Sequence, residues 1–139
     1  MSELPDSGRP SVMFVCVKNG GKSQMAAALM RQIAGDTVEV HSAGTRPGDS
    51  VNALSAESLT EIGIDLEGEF PKPVDPALLV RMDHVITLGS EAVIDGWTVT
   101  NWDTDEPSER GIDGIERMRL VRDDIAERVR ELADRLREK

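Results

Sequence analysis

Short, almost wholly apolar runs alternate with amphipathic helical patterns along this chain, and that alternation narrows the fold more than any other feature. Ser11 to Val17 (SVMFVCV) and His84 to Leu88 (HVITL) are apolar and β-branched, without the polar alternation of a half-exposed strand. Such strands are buried on both faces, so they fit a parallel sheet covered by helices on either side, an α/β fold. Thr37 to Ser42 and Thr98 to Trp102 give two weaker strand patterns. After the first strand, Met25, Leu29 and Ile33 recur at helical spacing with Ala26 and Met30 beside them, which predicts a helix capped by Ser23 and ending near Ala34. A second helix is expected over Val51 to Ile62, with Val51, Leu54, Ser55, Leu59 and Ile62 on one face and Gly63 at its end. Short helices are expected over Ala77 to Arg81 and again between the third and fourth strands. The clearest helix comes last, where Ile115, Met118, Val121, Ile125, Val129, Leu132 and Leu136 step by three or four, with Arg and Glu filling the other face.

The chain has 139 residues, enough for one domain; residues 1–10 read as a loose polar tail and 11–139 as that domain. A formal charge of −10 argues against a protein that coats nucleic acid or an anionic membrane, while leaving room for a local cationic pocket. Cys16 is the lone cysteine, so no intramolecular disulfide can form, and with only His41 and His84 to help it no metal site is expected. No apolar run approaches the roughly 20 residues that span a bilayer, and the first ten residues lack a signal-peptide core, so a soluble cytoplasmic protein is expected. The two histidines flank strands and read as structural. The Arg-rich last helix alternates Arg with Glu and Asp and reads as a solvated face.

The chemistry gathers in Cys16-Val17-Lys18-Asn19-Gly20-Gly21-Lys22-Ser23, between the first strand and the first helix. Ligands of open α/β sheets bind there, beyond the carboxyl ends of the strands. Backbone N–H groups of such a loop can converge on an anion, and the helix N-terminus and the Lys22 charge favour it further. Gly21-Lys22-Ser23 also matches the end of the nucleotide-binding pattern G-x-x-x-x-G-K-[ST], but Cys16 stands where that pattern needs its first glycine. The alternative makes Cys16 a nucleophile toward a bound tetrahedral oxyanion, its thiolate favoured by the loop and by a hydrogen bond from Ser23. The plain reading of Cys16 is a small buried hydrophobe at a strand end.

Residues 16–23 resemble the C-x5-R-S phosphate-binding loop of the low-molecular-weight protein tyrosine phosphatase superfamily, which includes thioredoxin-linked and mycothiol-linked arsenate reductases. Gln24-Met25-Ala26, Ser42-Ala43-Gly44-Thr45, Gly63-Ile64-Asp65, Asp83 to Leu88, and Trp102 with Asp105-Glu106-Pro107 extend the resemblance over nearly the whole chain. It is similar above all to the single-cysteine arsenate–mycothiol transferases. The resemblance implies a four-stranded parallel sheet of order 2-1-3-4 with helices on both faces.

Three departures shape what the resemblance implies. The family's loop arginine is Lys22 here, which keeps the charge but loses the bidentate fork. Thioredoxin-linked relatives carry two later cysteines, whereas this chain has Gly89 where the first would stand and no cysteine beyond it. The family's general acid is an Asp before a proline, whereas Glu106 precedes Pro107 here, with Asp105 beside it as the second candidate. A solvated acidic loop is the plain reading of both carboxylates. The implied activity is arsenate reduction. Cys16 attacks arsenic in a cradle of Val17, Lys18, Asn19, Gly20, Gly21, Lys22 and Ser23. Asn19 stabilises the loop, and Lys18 either lines its mouth or is an ordinary exposed lysine. With no bound cofactor, a small thiol such as mycothiol takes the arsenic, and a glutaredoxin-like or mycoredoxin-like protein releases arsenite. A phosphatase acting on phosphate esters and a non-enzymatic oxyanion-binding protein remain open beside it.

Overall fold

The structure, a computed structural model, describes residues 9–137, so the first eight residues of the expected tail lie outside the described residues. Strands β1 (Ser11–Cys16), β2 (Glu39–Gly44), β3 (His84–Leu88) and β4 (Thr100–Trp102) form one sheet in the order β2-β1-β3-β4. All three pairings are parallel, with Val12 beside Val40 and Phe14 beside Ile86. Helices α1 (Lys22–Ala34), α2 (Ala53–Thr60), α3 (Pro76–Leu79) and α4 (Gly114–Arg137) supply the crossovers and the last layer.

Central position explains the composition of β1. Every one of its residues is buried, so neither pleat face can be polar. Val12 and Phe14 face one core with Met25 and Leu29 of α1, Leu59 of α2, and Ile125 and Val129 of α4. Met13 and Val15 face the other, with Ala43, Leu79 and Val85, and Ile94 and Val99 pack against it from the β3–β4 connection. Phe14 and Trp102 meet with ring centroids 5.7 Å apart and bind β4 to the first core. Cys16, at the end of β1, therefore leaves a rigid strand at the edge of both layers.

Several local expectations are corrected. Ser23 does not cap α1; Gly21 holds the cap position without a side-chain bond, and Ser23 is buried one residue inside the helix. The second strand starts later than expected because Gly35–Thr37 winds a 3-10 turn first. Helix α2 is shorter than expected and is capped by Asn52, whose side chain accepts from the Ser55 N–H at 2.9 Å. Leu54 (38 % exposed) and Ile62 (41 % exposed) point away from the core. The buried face of α2 is Ser55, Ser58 and Leu59, because small serines let α2 lie close against α4; Ser58 donates to the Ser55 carbonyl and Ser55 to the Met118 sulfur. The helix expected between β3 and β4 is absent among the described residues. That segment is a series of turns, with Gly89 (φ 87°) and Gly96 (φ 81°) in left-handed conformations that stop a helix.

At the start of β2 the Glu39 carboxylate takes both guanidinium nitrogens of Arg81, at 3.1 and 2.6 Å, and lies 2.6 Å from His41 Nε2. The Arg81 hydrogen bonds pull the Glu39 carboxyl from its ordinary 4.5 down to about 2, against the desolvation that opposes them. Because the folded value lies below the unfolded one, the stabilisation is complete above 4.5 and drains away as pH falls toward 2. Arg81→Met is therefore expected to flatten the acid loss of stability between pH 4.5 and about 2, read from urea unfolding at stepped pH.

Candidate active site

The loop after β1 is shaped by where its carbonyls go. The carbonyl oxygens of Cys16, Val17, Lys18 and Gly20 accept from the backbone N–H groups of Thr45, Arg46, Gly48 and Asn52, at 3.0, 2.8, 2.9 and 2.6 Å. A strap of residues 44–52 thus ties down the loop's outer side. The described peptides are all trans, and in a trans peptide the next N–H points opposite the carbonyl. The N–H groups of Val17, Lys18, Asn19 and Gly21 consequently turn away from the strap. Such a concave array of donors is an anion cradle.

Two glycines make the close approach possible. A Cβ on Gly44 would fall 2.7 Å from the Val17 carbonyl oxygen, and one on Gly20 would fall 2.9 Å from the Ser50 oxygen. Both obstacles are backbone and cannot swing aside. The turn itself is set by Asn19, which is fully buried with φ 53°, a left-handed conformation that asparagine tolerates better than most residues. Its Oδ1 accepts from the Lys72 N–H at 3.0 Å, its carbonyl accepts from Gln24 Nε2 at 3.1 Å, and its Nδ2 donates to Ser23 Oγ at 2.6 Å.

That last bond orients Ser23 toward Cys16. Ser23 Oγ lies 2.9 Å from Cys16 Sγ. With Asn19 already donating to this oxygen, the Ser23 O–H is left to point at the sulfur. Above it lies a cavity of about 530 Å³ lined by Cys16, Lys18, Lys22, Gly89, Glu106 and Arg117, among others. Lys22 reaches across its mouth, donating to Thr104 Oγ1 at 2.7 Å and pairing with Glu106 Oε2.

The two carboxylates expected near the site part company. Glu106 lines the cavity and holds Lys22. Asp105 turns to Arg110, whose Nη atoms lie 2.8 and 3.2 Å from its two oxygens, and that hydrogen bonding holds its carboxyl below the usual range. Its backbone N–H donates to Asp124 of α4 at 2.8 Å, which fixes the loop's direction. Sequence reasoning missed Thr104 and Arg117. Thr104 carried a weak signal, two residues past the carboxyl end of β4; Arg117 carried none, because it reads as one more arginine on a solvated helix. Lys18 is exposed at the rim. Among the described residues no group of three or more His, Cys, Asp and Glu side chains could hold a metal ion, and no helix is long and apolar enough to cross a membrane.

Comparison with known proteins accords with this geometry. Residues 11–95 match the model of the low molecular weight phosphotyrosine protein phosphatase family. An arsenate reductase of Halalkalibacterium halodurans is 32 % identical over 132 residues, spanning 88 % of this chain and 94 % of the relative. A solved arsenate reductase in its phosphate-binding state superposes with a TM-score of 0.80 at 27 % identity, over 91 % of this chain and 98 % of the other. The thioredoxin-dependent arsenate reductase of Corynebacterium glutamicum superposes with a TM-score of 0.76 at 34 % identity; 94 % of this chain is covered, but only 63 % of the longer protein.

Proposed function

The chain belongs to the low molecular weight phosphotyrosine protein phosphatase family, and we propose that within it Cys16 reduces arsenate by passing arsenic to a small external thiol such as mycothiol. The general chemistry is of the arsenate-reductase type, carried by a single cysteine. The observation that carries the external thiol is that same cysteine: Cys16 lies at the floor of the anion cradle, and the sequence holds no second sulfur to form a disulfide with it.

The steps follow from the residues present. Arsenate enters the cradle, where the loop N–H groups and Lys22 offset its charge. The Cys16 thiolate attacks arsenic and forms an S–As bond while an oxygen departs as water, its proton supplied by Glu106, which takes one up from solvent as Lys22 turns from it to the bound arsenate. Ser23 donates to the sulfur whenever it carries charge, at the start of the cycle and at its end. The small thiol then attacks arsenic; its S–As bond forms, the Cys16–As bond breaks, and Cys16 leaves unoxidised. A glutaredoxin-like or mycoredoxin-like protein attacks the sulfur of the conjugate. Two electrons pass to arsenic, arsenite departs, and the redoxin keeps the small thiol as a mixed disulfide.

The family match favours a second reading, hydrolysis of a phosphate ester through a phospho-Cys16 intermediate. Against it, among the described residues no aromatic side chain lines the cavity to grip a phenyl ring. The deciding assay follows arsenate-dependent NADPH oxidation with mycothiol or glutathione, each with its redoxin and reductase, and with thioredoxin alone as contrast. Turnover requiring both small thiol and redoxin is expected. Aryl-phosphate hydrolysis without thiol, alongside no arsenate turnover, would establish the phosphatase. Oxyanion binding with neither activity would leave a binding protein.

A further inference from the structure

Arg117 lies in the first turn of α4 and lines the cavity that holds Cys16. It also lines a neighbouring groove of about 680 Å³ between the loop, the strap and α4, so its side chain stands where the two spaces adjoin. Among the described residues its guanidinium has no hydrogen-bond or ion-pair partner, and its Nε is shut off from solvent. A buried guanidinium N–H without an acceptor is costly, and native structures seldom leave one so unless something else supplies the acceptor.

The other charges of the cavity sharpen the point. Lys22 is committed to Glu106 and Thr104, and Lys18 is exposed at the rim. Glu91, Glu106 and Glu109 also line the cavity, yet none of them gives Arg117 Nε an acceptor. Lys22 is moreover an ammonium, which meets an oxyanion as a point charge, whereas guanidinium offers two parallel N–H groups to two oxygens. The cavity thus contains a tetrahedral-anion cradle, a cation already paired, and a guanidinium that, among the described residues, no carboxylate holds.

We propose that Arg117 binds the oxyanion held over Cys16, supplying from α4 the bidentate guanidinium contact that Lys22 cannot make. The inference rests on the proposed function only in taking this cavity as the oxyanion site. An anion bound this way joins the loop that carries Lys22 to α4, two elements distant in sequence, and its affinity depends on a residue outside the loop.

The test uses inorganic phosphate as probe, by isothermal titration with no thiol present, so that it reads even if arsenic transfer fails. Arg117→Met should raise the phosphate dissociation constant by about tenfold or more, the worth of one charge-assisted hydrogen bond. Arg117→Lys, which keeps charge and stem but not the fork, should recover only part of that affinity. The unfolding midpoint should stay at the wild-type value, which a merely structural role would not allow. Unchanged phosphate affinity in folded Arg117→Met would overturn the proposal. If Arg117→Met fails to fold, Arg117→Lys decides, and wild-type affinity in that variant overturns it equally.

Discussion

Cys16→Ser is expected to lower arsenate turnover by roughly 10³-fold or more, to the background of the assay, while the protein stays folded and still binds phosphate. The size of the loss follows from covalent catalysis. Every step of the proposed cycle passes through the S–As bond, and a serine hydroxyl at neutral pH is too weak a nucleophile to replace the sulfur. The retained fold follows from the position. Cys16 ends a strand whose ladder is backbone, its side chain is small, and Ser23 can hydrogen-bond an oxygen as it does the sulfur. Retained binding follows from the cradle, whose N–H groups are aimed by carbonyl bonds to residues 45–52 that the substitution leaves alone. Phosphate titration and the thermal midpoint separate loss of chemistry from loss of structure. Full thiol-dependent turnover in folded Cys16→Ser would end the nucleophile assignment.

What could be read from the sequence divides along the range of the interactions. The sheet and its helices follow from local periodicity, since a central strand such as β1 must be apolar on both faces and α4 must keep a stripe at three- and four-residue steps. The parallel order required the crossovers and, for its detail, resemblance to a known fold. Local pattern failed where a tertiary contact overrode it. Leu54 and Ile62 sit at helical spacing yet are exposed, because Ser55 and Ser58 bring α2 close to α4 and so decide which face turns inward. The helix expected after β3 gave way to left-handed glycines.

The site divides in the same way. The anion loop is contiguous and its residue types announce its chemistry. Its shape is not contiguous: it depends on a strap that reads only as turn-rich sequence, and on Gly44, whose missing side chain admits the Val17 carbonyl. Thr104 bonds Lys22 across 82 positions of sequence and Arg117 lines the same cavity from 95 positions away, and no periodicity marks proximity of that range.

The same nonlocal geometry separates two adjacent carboxylates that the sequence could not. Glu106→Gln is expected to lower the rate of arsenate turnover by roughly 10²- to 10⁴-fold, the range for removing a positioned general acid, with little change in phosphate affinity. Asp105→Asn should leave the rate within a fewfold of wild type. The reason lies in what each side chain faces. Asp105 is clamped by Arg110, whose Nη atoms occupy both its oxygens, and it is not among the described residues that line the cavity. Glu106 opens into the cavity beside Lys22, where an oxygen leaving arsenic would need a proton. Gln keeps a hydrogen-bond acceptor for Lys22 and occupies nearly the same volume, so a loss in kcat without a matching loss in binding isolates proton donation from positioning. Steady-state kinetics of both variants across the acidic range would check this. A larger loss in Asp105→Asn than in Glu106→Gln would reverse the assignment. It would also require Arg110 to release Asp105 when the oxyanion binds, since the clamp as it stands occupies both of its oxygens.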